Sequence, residues 1–166
     1  VIGLNLCPFA RKPYSDKRVR IVINDSKDEE GIYLSLMKEF DILDKLDAQE
    51  LETTLLVIPN LLSSFEDYND FLFSVNEMIK LQNREGVYQV ASFHPDYQFE
   101  NTEKQDAENF TNRSPYPIFH LIRESSLSEV LASYPNPEAI PERNINTMNS
   151  LSAKELERYF SWCFDK

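Results

Sequence analysis

The sequence predicts an α/β domain: a layered sheet of about four strands, mostly parallel, with helices packed on it. Three observations predict it. Short β-branched runs alternate with longer stretches whose apolar residues recur every three or four positions. The run "TTLLVIP" (Thr53–Pro59) is apolar nearly throughout, as a buried parallel strand is. Four of the helical stretches open on a serine followed three residues later by glutamate, the spacing of a capping box.

The elements follow in order. "GLNLCPFARK" (Gly3–Lys12) begins inside an apolar pattern and reads as a helix whose start lies upstream; Pro8 breaks or bends it at Cys7. "RVRIVIND" (Arg18–Asp25) alternates and is the first strand. Ser26 and Glu29 then cap a helix with the stripe Ile32, Leu36, Met37, Phe40 and Leu43. "ETTLLVIPN" (Glu52–Asn60) is the second strand. Ser63 and Glu66 cap a second long helix, striped by Tyr68, Phe71, Leu72, Val75 and Ile79. "GVYQVASFH" (Gly86–His94) is the third strand. A long loop, about 95–117, leads to "PIFHLIRE" (Pro117–Glu124), a fourth strand that runs antiparallel because no helix separates it from the third. Ser126 and Glu129 cap a short helix before Pro135. Pro141 opens the next, and Ser152 and Glu155 cap the last. Residues 1–166 form one domain, with 135–166 a helical C-terminal extension.

This order places a site. Ligands of such sheets lie at the carboxyl ends of the parallel strands. Those ends are Asn24–Asp25, Pro59–Asn60 and His94–Pro95, and an antiparallel fourth strand starts at the same edge, at Tyr116–Pro117. The 95–117 loop therefore leaves and returns at the edge where a site belongs. A connection of roughly twenty residues is long for a compact domain, and such loops tend to carry function.

Composition narrows the classes. Of 166 residues, 42% are apolar and 12% aromatic, enough for a core without disulfides or metal. A net charge of −11 disfavours nucleic acid and an anionic membrane surface as partners. No run of about 18 apolar residues predicts a membrane span, and no signal peptide is visible. Two cysteines, Cys7 and Cys163, make no disulfide framework, which favours a reduced, cytoplasmic setting. There the glycosylation-like triplets "NFT" and "NRS" are false positives. Three glycines in the whole chain exclude glycine-rich nucleotide fingerprints. No nucleophile elbow, CxxC pair or HExxH helix occurs.

The candidate residues cluster at the predicted edge. His94, at the end of the third strand, is the acid–base candidate, with Asp96 to orient it; its other reading is a cap for the loop backbone. Cys7 precedes Arg11 and Lys12 and is a candidate nucleophile or redox thiol, or else a small buried hydrophobe. His120, inside the fourth strand, reads as a core histidine with a backbone partner. Arg113 and Arg123 carry the planar fork that suits a carboxylate or phosphate; the plainer reading is an ion pair with one of the many acidic residues. Tyr97, Asn112, Ser114 and Tyr116 complete a substrate-binding set. Cys163 reads as core with Leu156, Tyr159 and Phe160. A zinc site drawing on Cys7, His94, His120 and Asp96 has no supporting spacing, so no metal is assigned, and the cofactor is left open.

Several runs carry a resemblance: "GLNLCPFA" (Gly3–Ala10), "TTLLVIP" (Thr53–Pro59), "DYNDFL" (Asp67–Leu72), "GVYQVASFHPDYQF" (Gly86–Phe99), "DAENFTNRSPYPIFHLIRE" (Asp106–Glu124) and "IPERNI" (Ile140–Ile145). With them the chain resembles, over nearly its whole length, an uncharacterised bacterial family, a "domain of unknown function" family found mostly in proteobacteria. The resemblance implies a small, cytoplasmic, bacterial α/β protein, with residues commonly preceding the first motif. It implies no activity. Two functions follow from the residues themselves. One is an enzyme acting on a small polar, anionic metabolite through Cys7 and His94. The other is a non-catalytic module that binds a ligand or protein through the 95–117 loop.

Overall fold

The computed structural model describes residues 1–164. Its order is α1 (Arg11–Ser15), β1 (Val19–Ile23), α2 (Glu29–Lys45), β2 (Thr53–Val57), α3 (Phe65–Leu81), β3 (Tyr88–Phe93), β4 (Ile118–Arg123), α4 (Glu124–Ser133), α5 (Ile140–Asn149) and α6 (Ala153–Tyr159). A 3-10 turn, Ala107–Asn112, interrupts the β3–β4 loop. The α/β class and the four strands are as the sequence predicts.

The expectation of a mostly parallel sheet needs correction. The strand order is β1-β2-β4-β3, and only β1 and β2 pair in parallel. β4 returns from β3 without a helix, so it pairs antiparallel with β3; its other side takes β2, which moves β3 to the edge. Phe119 and Leu121 of β4 are fully buried, as befits a central strand. The three other strands still point the same way. One register row therefore holds the last residues of β1, β2 and β3 and the first of β4: Ile23, Val57, Phe93 and Ile118.

Local chemistry sets the helix starts, at residues slightly displaced from those expected. Asp28, not Ser26, caps α2 by accepting the Gly31 N–H at 2.8 Å. Ser26 packs against Gly31 instead, where a side chain on residue 31 would collide with its hydroxyl. Ser64 rather than Ser63 caps α3. α4 starts at Glu124, directly from β4, without the cap expected at Ser126. Ser152 and Glu155 form the expected capping box of α6, and Pro141 lies in the first turn of α5. The apolar faces of α2 and α3 bury Ile32, Leu36, Phe40, Leu43, Phe71, Val75 and Ile79 against Leu56, Ile58, Phe119 and Leu121. Glu39 is buried beneath α2, where Arg20 Nε of β1 meets its carboxylate at 2.7 Å.

The amino-terminal segment is not the helix expected. Residues 2–10 form successive turns, and α1 begins only at Arg11. Leu6 joins Phe110, Met148 and Phe160 in a second, smaller core, on which Leu156 and Cys163 pack. Cys163 thus sits beside Leu156 and Phe160 as expected, whereas Tyr159 is exposed.

Away from α2 and α3, the sheet presents Val19, Ile21 and Ile23, then Thr53, Leu55 and Val57, then Ile118, His120 and Ile122. His120 is half-buried as a residue, yet its Nε2 is shut off from water and has no hydrogen-bond partner among the described residues. The backbone partner expected for this histidine is absent at that atom. Desolvation lowers its pKa to about 4. As pH falls, the unfolded chain takes this proton first, near 6.5, and the folded chain only near 4. The stability held above pH 6.5 is therefore lost between those values. In urea titrations the wild type will lose about 3 kcal/mol more than His120→Leu on going from pH 7 to pH 4.

Candidate functional site at the carboxyl edge of the sheet

β3 ends at Phe93, so the chain enters the loop at His94 with its ring turned into the protein. His94 is fully buried. Its ring packs between Phe65 and Tyr68 of α3, at centroid distances of 5.3 and 5.2 Å. Nδ1 accepts the Asp96 N–H at 3.0 Å. An amide can only donate, so Nδ1 carries the lone pair and Nε2 the proton. Nε2 then donates to the Leu62 carbonyl at 2.9 Å. The backbone of His94 is engaged as fully: its N–H donates to Asn112 O, and its C=O accepts from Tyr97 N and Ser114 N. One residue thus ties the β2–α3 connection, the start of the loop and its return together. Leu62 sits at φ 57, a left-handed conformation uncommon outside glycine and asparagine. The imidazole N–H is what holds its carbonyl.

The other candidates are drawn into the same framework. Asn112 Nδ2 donates to Ser92 O at 3.1 Å. Ser114 Oγ donates to Tyr116 O. Arg113 lies over the Phe110 ring at 4.2 Å, with Nε on Tyr97 O and Nη2 on Lys104 O. Asp96 meets Lys104 Nζ at 3.4 Å. Tyr97 packs between Phe65 and Phe99, at 5.2 and 5.0 Å. Tyr116 is half exposed. Arg123 lies at the opposite end of β4, away from this cluster. Its Nη2 donates to Leu43 O, Leu46 O and Leu51 O, closing the carboxyl end of α2 onto the sheet. Among the described residues neither arginine forms the acidic ion pair that residue abundance suggested; both collect backbone carbonyls. Cys7 is half-buried next to Leu6 of the second core and precedes α1 by four residues.

Residues passed over in the sequence do as much. Asn109 is fully buried in the loop; its Oδ1 accepts from Phe99 N and Thr102 Oγ1, and its Nδ2 donates to Glu103 O at 2.7 Å. Tyr68 was visible only as part of a helical stripe. Its hydroxyl donates to Ile118 O at 2.8 Å and accepts the Phe93 N–H at 3.3 Å, clasping β3 and β4 where the loop joins them. Burial pushes this phenol far above its ordinary pKa. The available signal was a tyrosine inside an otherwise apolar stripe, since a buried hydroxyl requires a partner.

A cleft of about 330 Å³ opens beside Leu62, between the starts of α2 and α3. Glu29, Asp67 and Asp70 line it with Leu61, Leu62 and Phe71. Its charge is negative, and none of the candidate residues named from the sequence contributes to it. Among the described residues, no three histidine, cysteine, aspartate or glutamate side chains converge to hold a metal ion. No helix among them is long and apolar enough to cross a membrane.

Replacing Asn109 by alanine leaves the Phe99 N–H and the Glu103 carbonyl without their buried partner. The variant will lose about 2 kcal/mol in urea unfolding, and backbone hydrogen exchange in residues 97–110 will quicken before that of β2 and β4. A search of the curated proteins gave no match, and neither did a search of the solved structures. A family model does match, over residues 1–158: the chain belongs to the family described as "Protein of unknown function (DUF1415)".

Proposed function

We propose that this domain is a non-catalytic binding module that docks a protein partner on the 95–117 loop. The observation that carries the reading is the direction of the loop's polar groups. His94, Asn109, Asn112 and Arg113 all spend their hydrogen bonds on the loop's own backbone or its neighbours. Beside the exposed polar residues Gln98, Glu100, Asn101, Glu103, Lys104 and Gln105, the loop presents three apolar ones on this hydrogen-bonded backbone. Phe99 is 37% exposed, Tyr116 is 50% exposed, and Pro115 is exposed beside it. Aromatic side chains on a pre-ordered backbone bind at low entropic cost, which is the character of a docking surface.

The catalytic reading is supported less well. It asks one ring nitrogen of His94 to serve Cys7, and each ring nitrogen is bonded to the backbone. It also asks Arg113 to clamp an anion, yet that guanidinium lies on Phe110 and donates to two carbonyls. A small anionic metabolite would have to displace those bonds.

Capture from an extract of the cells that make the protein separates the two readings. A partner retained by wild type will be lost with the double variant Phe99→Ser, Tyr116→Ser and retained with Cys7→Ser, while the thermal midpoints of all three stay within a few degrees. A partner or turnover that survives the double variant and disappears with Cys7→Ser contradicts the proposal.

A further inference from the structure

β1 is an end strand of the sheet, so one side of its backbone has no strand neighbour among the described residues. Glu52 N donates to Arg18 O, and Asn24 N donates to Val57 O. These bonds turn the backbone groups of the even-numbered residues toward β2. The N–H and C=O groups of Val19, Ile21 and Ile23 therefore point outward. Their side chains share the sheet face away from α2 and α3. Ile21 and Ile23 are each 64% exposed, whereas their row neighbours Leu55 and Val57 are half-buried. Proteins usually blunt such an edge with lysine, proline, a bulge or a covering segment. β1 reads Val-Arg-Ile-Val-Ile, with no lysine or proline in it. Its one charged side chain, Arg20, lies on the other face and is held by Glu39.

We propose that the β1 edge binds a second copy of this chain, β1 against β1 and antiparallel, about a two-fold axis beside Ile21. The outward residues are centred on Ile21. The axis therefore sets Ile21 against Ile21 and Val19 against Ile23, and about six backbone hydrogen bonds form with no outward group omitted. On the exposed face the pairing matches β-branched side chains with one another, the residue type that packs best across strands.

Charge selects this edge for self-contact. With a net −11 on each copy, most faces of the molecule repel their own kind. At β1 the charges cancel locally: Lys12 and Arg18 meet Asp16 and Glu52, and Arg20 meets Glu39. The joined sheet runs β3-β4-β2-β1-β1-β2-β4-β3, which puts the two 95–117 loops at its far ends. The pairing does not depend on the role proposed for the loop.

Size-exclusion chromatography with light scattering on the whole chain tests this. Wild type will be a dimer that dissociates on dilution. Ile21→Lys, a change at an exposed position, will raise the dimer dissociation constant by about tenfold or more with an unchanged far-ultraviolet circular dichroism spectrum. In a Cys7→Ser, Cys163→Ser background, Ile21→Cys will form an interchain disulfide under copper–phenanthroline, while Leu34→Cys, exposed on α2, will not. A monomeric wild type at every concentration overturns the proposal. So does a dimer that survives Ile21→Lys, or one in which Leu34→Cys crosslinks and Ile21→Cys does not; an unrelated strand bound at β1 would show itself as a monomeric wild type.

Discussion

A buried, neutral imidazole holds the carboxyl edge of this sheet together. His94 donates from Nε2 to the carbonyl of Leu62 and accepts at Nδ1 from the amide of Asp96. The first bond stops a strained residue of the β2–α3 connection from turning away, and the second fixes the first turn of the loop. Removing the ring would leave a buried carbonyl and a buried amide without partners, and such losses cost more than a hydrogen bond nominally contributes. The packing of Phe65, Tyr68 and Tyr97 around the ring depends on the same placement. A histidine set in this way is an adhesive between three backbone segments. Both ring nitrogens of this imidazole meet backbone atoms.

Two arginines act in the same way. Arg123 gathers the last carbonyls of α2, Arg113 gathers those of the loop, and Arg18 reaches Ala48 O as well as Glu52. In a chain so rich in carboxylates, Arg113 and Arg123 go to carbonyls, while Arg18 divides between Ala48 O and the carboxylates of Asp16 and Glu52. A helix end or a long loop that is brought inside must have its carbonyls satisfied, and arginine reaches several at once. The 95–117 segment consequently holds its shape through its own hydrogen bonds, with Asn109 and Arg113 at its centre. Phe99 and Tyr116 stand exposed on it.

Much of this was legible in the sequence. Periodicity marked the strands and the two long helices because burial on one face imposes it. The meeting of β1, β2 and β3 ends with the start of β4 followed from alternation plus a helix-free connection. The position of β4 between β2 and β3 did not, because a loop of that length permits either neighbour. The caps slipped by a residue or two where Ser63 and Ser64, or Ser26 and Asp28, offer nearly the same chemistry. The loop-backbone cap, one of the two readings of His94, is present at Asp96; the role of Arg123 and the second bond of His94 were hidden for a different reason. Their partners lie far along the chain, at Leu43 and Leu62, and are backbone atoms that leave no mark in residue identity. Cys7 and His94 were grouped for their reactivity, a property of side chains taken singly; hydrogen bonding decides whether that reactivity is available.

The imidazole ring itself gives the most direct test. Two-dimensional ¹⁵N correlation spectra of the folded protein at neutral pH distinguish a ring protonated at Nε2 from one protonated at Nδ1 or at both. His94 should show the Nε2–H tautomer, a bare Nδ1, and a measurable scalar coupling across the hydrogen bond from the Asp96 amide to Nδ1. A His94 ring carrying its proton on Nδ1, or a doubly protonated ring without that coupling, would contradict the structural role assigned to it.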